Sequence, residues 1–520
     1  MSFSGKAHAQ APTLGAAANF ALFTTAGAVT NTGLSHITGD VGTNNAASTN
    51  FGNVDGVMQD SNGATSAAAA DLLVAYNLLN AAIPTATLAP LLGNGTTLTA
   101  GNYFIGQGAS LSGTLTLDGG GNSNSVFIFK IQGALSSAAN TQVLLTNGAL
   151  ACNVFWKVEG LVDLATNTVM KGNVVANNAA IVLQSGVSLE GRALSTTGAI
   201  TVTGVTVRKP ILCGSAVLTG PVAPNLGTVV CYTIFSGNGA LTNAGITYVT
   251  GDVGTNVGLT TGFQADNVNG TIHSNPDTST AQAALDLNNA YTYLNTLPTD
   301  IELLYPAAFG QNLVLTPHTY LLNAATVLNG KVTLDAQGNE NAVFVIKING
   351  ALSTTVNASV ELINGAIAKN VFWKVDGAVD LNDYTKFKGS VIGNNGAVII
   401  NTGVEIEGRV LSTSGGISTF GINAQMTPGC ELLGTGSNTV ATQAAKFYPN
   451  PFSSVLNVTM EDLNGGSTLT IYNAAGTKVF DKLLTTKTTT LSMKLPAGVY
   501  FYQMVGKNGA KQTGKLIAKP

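Results

Sequence analysis

Residues 153–203 read NVFWKVEGLVDLATNTVMKGNVVANNAAIVLQSGVSLEGRALSTTGAITVT, and this stretch returns on itself at a step of 19 residues. Lys171-Gly172 recurs as Glu190-Gly191, and Ala180-Ile181-Val182-Leu183 recurs as Ala199-Ile200-Thr201-Val202. One step earlier stands Leu161-Val162-Asp163-Leu164. Each step holds three short runs of strand formers punctuated by Gly and Asn. Three strands and their turns in 19 residues make one coil of a β-solenoid with a triangular section. FIFKI (127–131), VFWKV (154–158), NVVAN (173–177) and RALS (192–195) stack on a first face. The runs after them stack on a second face, and TVMKG (168–172) with VSLEG (187–191) on a third. The step from FIFKI to VFWKV is 27 residues, so the solenoid is irregular.

The same text appears twice in the chain. LGAAANFALFTTAGAVTNTGLSHITGDVGTN at 14–44 returns as LGTVVCYTIFSGNGALTNAGITYVTGDVGTN at 226–256. NVFWKVEGLVDL (153–164) returns as NVFWKVDGAVDL (370–381), and EGRALSTTGAI (190–200) as EGRVLSTSGGI (407–417). A spacing of 212 to 217 residues is a duplicated domain. Each copy also holds one amphipathic helix. The run 61–83 places Leu72, Tyr76, Leu79 and Ile83 at helical spacing and is stopped by Pro84. The run 276–298 places Leu287, Tyr291 and Leu294 likewise, and both stripes are expected on the β core. The expected organisation is a remnant or tail at 1–13, solenoids at 14–210 and 226–430, linkers at 211–225 and 431–445, and a separate module at 446–520.

Only 9% of the 520 residues are charged, against about 25% in ordinary globular chains. Gly, Thr, Asn, Ser and Ala must therefore supply the surface. The net charge of −3 gives no basic footprint for nucleic acid or acidic membranes. No uninterrupted apolar run is long enough to span a bilayer. Ala7-His8-Ala9 resembles the A-x-A end of a signal peptide, so residues 1–13 are either an export-signal remnant or a disordered tail.

The four cysteines are Cys152, Cys213, Cys231 and Cys430. Cys213 and Cys430 occupy equivalent places; Cys152 and Cys231 have Lys369 and Asn19 as their counterparts. Two cysteines per copy permit Cys152–Cys213 and Cys231–Cys430, as export would favour. Three connectivities exist and four free thiols are a further alternative. Nothing suggests a zinc site or any other metal or cofactor.

Strand alternation sends Leu135, Val162, Leu164, Ile181, Leu183, Ile200 and Val202 inward from the second face. The outward set is then small and almost uncharged: Ser136, Ala180, Ala199, Thr201 and Thr203, joined by Thr30 and Thr32 from the N-terminal run AVTNT. The second copy offers Thr242, Ser353, Thr355 and Ser418. Leu161, Asp163 and Gln184 interrupt the first set, and Asp380, Ile399 and Phe420 the second. Stacked strands make such a face flat, with rows roughly 4.8 Å apart.

TNTG…ITGDVG, FIFKI, NVFWKV, the Lys-Gly turn and EGRALS, in this order, resemble the bacterial and fungal ice-binding proteins of the DUF3494 type, over about 14–210 and 226–427. The resemblance implies a right-handed discontinuous β-solenoid with a flanking helix, no catalysis, and adsorption to ice through a flat face. The site residues it implies are Thr30, Thr32, Ser136, Ala180, Ala199, Thr201, Thr203, Thr242, Ser353, Thr355 and Ser418. Spaced hydroxyls order water, and methyls hold it weakly enough for an ice-like arrangement. The first copy, with Thr201 and Thr203 where the second has Ser418 and Phe420, is expected to bind better.

Residues 447–460 (FYPNPFSSVLNVTM), LTIYNAAGTKVF (469–480) and LPAGVYFYQMV (495–505) resemble the type A C-terminal sorting domain of the Bacteroidetes type IX secretion system. Alternating strands and turns at Asn473–Gly476 and Pro496–Gly498 suit a small β-sandwich. This implies the secretion machinery as a partner and an extracellular or cell-surface location, and a monomer is expected.

Two other functions compete: a solenoid adhesin or glycan binder, and a polysaccharide-degrading enzyme. The enzyme would need clustered carboxylates or calcium ligands, whereas His36, His273 and His318 are scattered. Asp40 and Asp252, in the duplicated TGDVG, suit a turn with the carboxylate bonding to backbone. Lys130, Lys157, Lys347 and Lys374 are expected to snorkel on the helix-facing side. Glu190 with Arg192, and Glu407 with Arg409, read as surface ion pairs. Trp156 and Trp373 lie in apolar strands and read as core or helix contacts rather than as a glycan platform.

Overall fold

A computed structural model describes residues 11–211, 217–273, 277–430, 445–460, 466–506 and 511–519. The expected Ala7-His8-Ala9 signal end, Cys213 and most of the 431–445 linker lie outside these residues. Residues 1–431 form one compact unit and 432–520 a second.

Within the first unit the 19-residue step becomes a rung. Val169–Ala176 and Ser188–Ser195 pair in parallel over eight residues, Val169 opposite Ser188 through Ala176 opposite Ser195. These strands run across two faces, bending at Gly172 and Gly191. A Cβ on Gly191 would stand 1.8 Å from the Gly172 carbonyl oxygen, and one on Gly408 would stand 1.9 Å from that of Gly389. The corner therefore closes only with glycine stacked on glycine. Gly191→Ala should destabilise the first solenoid by ~3 kcal/mol or more, read as a lower melting temperature. Asparagine marks the other corners: among the described residues, ten of the fourteen non-glycine positions at positive φ are Asn, which tolerates that region. The Asn content is thus turn chemistry.

The first and third faces of each solenoid share one large sheet, and the second face is a separate eight-stranded parallel sheet. In the first solenoid this second sheet runs, strand by strand, through Ser48–Thr49, Val29–Thr32, Ile200–Thr203, Ile181–Leu183, Val162–Leu164, Leu135–Ser137, Ala109–Ser112 and Leu91–Gly93. The strand Val29–Thr32 of the first coil therefore lies beside Ile200–Thr203 of the last coil of this solenoid. Inside, Tyr103, Phe129 and Trp156 stack with centroids 5.4 and 4.0 Å apart. Trp156 and Trp373 are fully buried core residues.

Helices α1 (Gly63–Ala81) and α2 (Thr278–Thr296) cover the first faces. Asn62 and Thr65 cap α1 reciprocally, and Asp277 caps α2. Ala68, Leu72, Ala75 and Leu79 pack on Phe20, Phe23, Ile128, Phe155 and Leu194. The expected stripe holds at Leu72 and Leu79, but Ile83 is 82% exposed. The helix ends two residues earlier because the chain becomes extended at Ala82, ahead of Pro84.

Lysines fasten each helix. Lys130 Nζ donates to the carbonyls of Asn80 (2.7 Å) and Ala82 (2.8 Å) at the C-terminus of α1, where the dipole favours a cation. Lys157 does not snorkel: it is fully buried, paired with Glu159, and donates to Asn80 Oδ1 at 2.9 Å. Glu159 also accepts from the Tyr76 hydroxyl (2.6 Å) and the Asn177 amide (2.7 Å). Lys347, Lys374, Tyr291, Asp376 and Asn394 repeat the arrangement under α2.

The expected Glu190–Arg192 pair does not form. The bend at Gly191 turns the two side chains onto different faces. Glu190 pairs with Lys171 at 2.6 Å, while Arg192 is buried and donates to the Ala18 carbonyl and Asn173. Glu407 and Arg409 part in the same way, towards Lys388 and the Val230 carbonyl. Cys231 and Cys430 form a disulfide with Cα atoms 4.7 Å apart. Cys152 is also disulfide-bonded, and Cys213, the partner expected for it, is not among the described residues.

The second unit carries a three-stranded sheet (Lys446–Tyr448, Val455–Thr459, Thr488–Ser492) and a four-stranded one (Lys478–Leu484, Ser467–Asn473, Gly498–Gly506, Lys511–Ala518). The strands within each sheet pair antiparallel, an isolated parallel bridge joins Phe452 to Ala518, and Leu456, Val458, Leu469, Ile471, Leu491 and Leu516 fill the space between the sheets.

Candidate functional site

The second sheet of the first solenoid presents outward residues in straight rows. One row follows the register Thr49, Thr30, Thr201, Val182, Asp163, Ser136, Ser110, Leu91. Two residues along, Thr32 stands opposite Thr203. The inward partners Val29, Ile200, Ile181, Val162 and Leu135 are fully buried, so the alternation expected from the sequence holds throughout. Ala180 and Ala199 flank the row, half-buried and exposed respectively.

Five threonines gather where the first and last coils meet: Thr49, Thr30, Thr201, Thr32 and Thr203. Thr30 donates to Thr201 across 171 residues of sequence, at 3.4 Å. Asn31 points inward between them and fastens the edge by donating to the carbonyls of Gly33 (2.8 Å) and Asn50 (2.9 Å). Asp163 is kept in the plane of the face by the Gln184 amide, which donates to it at 3.2 Å.

The second solenoid repeats the row as Thr261, Thr242, Ser418, Ile399, Asp380, Ser353, Val327. Thr242 and Ser418 lie 3.0 Å apart, and Asn401 donates to Asp380 at 2.7 Å. Thr355 lies further along the strand direction and is half-buried. Where the first solenoid sets Thr32 against Thr203, the second sets Ala244 against Phe420, which is 39% exposed. Ile399, 38% exposed, breaks the row as well. Every residue assigned to these faces from sequence is at least partly exposed and lies on or beside the second sheet.

Two strands at the threonine-rich edge, Ser48–Thr49 and Thr260–Thr261, and a third at Ala109–Ser112 add to the faces expected from sequence. The signal for the first two is the period itself: Thr49 follows Thr30, and Thr261 follows Thr242, by the same 19 residues.

Asp40 and Asp252 accept the backbone N–H of the next coil, from Val57 (3.0 Å) and Thr271 (2.8 Å). The bond is to backbone, as expected, but one coil on rather than within a turn. An open trough of about 320 Å³ on the third face of the second solenoid is lined by Lys386, Lys388, Glu405 and Glu407. Its charges are paired, Lys388 with Glu407 at 2.7 Å and Lys386 with Glu405 at 3.6 Å. Among the described residues no cluster of His, Cys, Asp or Glu could hold a metal ion, and no helix is long and apolar enough to cross a membrane.

His273 is less isolated than its sequence position suggests. Its Nε2 lies 3.1 Å from Asp252 and its Nδ1 3.2 Å from Asp277, at the start of α2. The hydrogen bond with Asp252 raises the imidazole above its ordinary 6.5, against partial burial and with help from Asp277. The Ser279 hydroxyl and the Thr280 N–H hold Asp277 down at about 2. The His273 contribution is complete below pH 6.5 and is lost as pH rises through its raised value. The Asp277 contribution is complete above 3.8 and is lost as pH falls through about 2. The clamp is thus fully effective from pH 3.8 to 6.5. The first solenoid has Gln59 at this register, bonded to Asp40 at 2.8 Å. The second solenoid should therefore lose melting temperature as pH rises above 6.5 through the raised value, and His273→Gln should remove that loss, as melts across this range would reveal.

Comparison with known proteins bears on both units. The ice-binding-like family profile matches residues 23–208 and again 234–427, and the secretion system C-terminal sorting domain profile matches 446–519. An ice-binding protein of Nostoc sp. (strain HG1) is 39% identical over 192 residues, covering 36% of this chain and 70% of the relative. Ice-binding protein 1 of Shewanella frigidimarina (strain NCIMB 400) is 41% identical over 146 residues, 27% of this chain and 16% of that longer protein. The crystal structure of an ice-binding protein from the Antarctic ascomycete Antarctomyces psychrotrophicus shares 35% identity, covering 38% of this chain and 98% of its own, with a TM-score of 0.37.

Proposed function

The chain belongs to the ice-binding-like family, which both solenoids match, and we propose that it adsorbs to ice through the second sheet of each solenoid. It is an ice-binding protein that carries a type IX sorting domain, and this domain directs it out of the cell. Adsorbed protein would then stop ice growth and recrystallisation. The observation that carries the proposal is the flat, in-register field of Thr49, Thr30, Thr201, Thr32 and Thr203. Its hydroxyls sit in rows roughly 4.8 Å apart. The charge in its main row, Asp163, is already bonded to Gln184. Such a surface orders water without gripping it as an ion would.

The glycan-binding alternative needs exposed aromatic platforms; both tryptophans are fully buried, which leaves it single tyrosines such as Tyr248 and Tyr384 of the second solenoid. We also propose that the protein is not an enzyme, because the carboxylates of its trough are neutralised by lysines in register. The domain limits 14–210, 226–430 and 446–520 are likewise our reading; the profile matches fall within them. The purified full chain should shape single ice crystals and inhibit recrystallisation. Ice that grows unshaped at high protein concentration would reject the proposal, and a glycan array would then test the alternative.

A further inference from the structure

The two solenoids share one compact unit, yet their apolar cores are separate clusters. What joins them is polar. Asp55 lies in the end coil of the first solenoid, bridged in parallel to Thr38, and is 3% exposed. Its Oδ1 accepts from the Tyr320 hydroxyl at 2.5 Å and its Oδ2 from the Thr316 hydroxyl at 2.8 Å. Both donors belong to the second solenoid, and Tyr320 is fully buried. Two residues earlier, Asn53 donates to the Tyr305 carbonyl (2.9 Å) and accepts the Tyr305 N–H (2.9 Å), as a strand partner would. On the flank, Arg208 pairs with the buried Asp335 at 2.6 Å.

The tyrosine itself is part of the solenoid design, and its carboxylate is not. In the first solenoid Tyr103 donates to the carbonyl four residues back, Thr99; the Tyr320 oxygen likewise lies 2.6 Å from that of Thr316, so its one hydroxyl proton is shared between that carbonyl and Asp55. Tyr320 additionally meets Asp55, whose two partners lie 261 and 265 residues away. Burial pushes the Asp55 carboxyl above its usual range, opposed by His318 and by the bonds from Tyr320 and Thr316. A buried carboxylate stripped of its donors is strongly unfavourable, so Asp55 favours the closed junction in which Tyr320 and Thr316 meet it. The described end of the linker is pinned too: the Val343 N–H donates to the Thr219 carbonyl at 2.9 Å, and Asn339 to that of Leu218 at 3.0 Å.

We infer that Asp55 is a positioning residue: it fixes the angle between the two solenoids, so that the tandem meets ice as one rigid two-faced body rather than as two tethered modules. The inference rests on the ice-binding reading of the faces. A fixed geometry removes the ordering cost that a flexible tether would impose on the second contact.

The test uses the full chain, spin-labelled at Asn77→Cys and Asn288→Cys on the exposed sides of α1 and α2; among the described residues no native cysteine is free. The parent chain should give one narrow distance distribution. Asp55→Ala should broaden it and weaken recrystallisation inhibition about threefold or more. Asp55→Asn, which keeps an acceptor for Tyr320 and a partner for Thr316, should restore both. If Asp55→Ala melts early, Tyr320→Phe takes its place with the same expectation, because the ring stays in the core. A broad distribution in the parent chain overturns the inference. So does a variant that stays narrow, or one that broadens without losing activity. A parent chain with no ice activity defeats the ice reading instead, and the distance measurement still reports on the junction.

Discussion

Replacing Thr30 and Thr201 together by tyrosine should cut ice recrystallisation inhibition by roughly tenfold or more, equivalent to about 1.4 kcal/mol or more of lost adsorption. The two threonines stand side by side in the middle of the threonine field, 3.4 Å apart at their hydroxyls, with Thr49 and Val182 as the next members of the row. Adsorption to a crystal is a contact between two flat lattices. Two phenol rings raised at the centre would hold every neighbouring hydroxyl off the ice, including those that were never changed. Both positions face outward over fully buried strand neighbours, Val29 and Ile200. Surface substitutions of this kind usually alter stability by less than about 0.5 kcal/mol. Melting curves should therefore overlay those of the parent while activity is lost. The matching pair in the second solenoid, Thr242→Tyr with Ser418→Tyr, should cost far less, because Phe420 and Ile399 already stand above that face. Equal losses from the two pairs would show that the solenoids bind alike. No loss from the first pair, with a native melt, would remove ice contact from this sheet.

That asymmetry is legible in the amino-acid sequence, because it depends on strand parity alone. So are the coils themselves: the bends at Gly172 and Gly191 tolerate no Cβ, and the corners at positive φ call for Asn, so the 19-residue step is written in turn residues. Ser48–Thr49 is too short to read as a strand alone, although it keeps the 19-residue step from Thr30. Contacts that break the period are not legible in this way. Thr30 meets Thr201 only because the first coil stacks on the last, which local pattern cannot state. Arg192 reads as a surface partner of Glu190 because simple alternation takes no account of the bend at Gly191. The Asp55 junction has no counterpart in a repeat, since its partners lie across the duplication.

Lys157→Met should destabilise the first solenoid by about 3 kcal/mol and leave its ice face untouched. The ammonium is fully buried between Glu159 and Asn80 Oδ1, 5.3 Å from the centre of the Tyr76 ring. Methionine fits the space but leaves Glu159 without its cation, under a helix that packs on this face through Ala68, Leu72, Ala75 and Leu79. Removing one member of such a pair costs more than the pair itself contributes. A second change, Glu159→Gln, should therefore return much of the loss. The pair also sets a pH dependence. Burial alone would raise the Glu159 carboxyl, but the bonds from Lys157, Tyr76 and Asn177 outweigh it and hold the group below 4.5. Its contribution is present above pH 4.5 and is lost as pH falls through the depressed value. Lys157→Met should accordingly melt earlier at neutral pH and lose less than the parent on acidification. Near 0 °C the folded variant should still arrest ice, whereas the tyrosine pair should melt normally and fail to do so. If Lys157→Met instead abolished ice activity in a folded protein, the helix-covered face would have to be counted part of the ice contact.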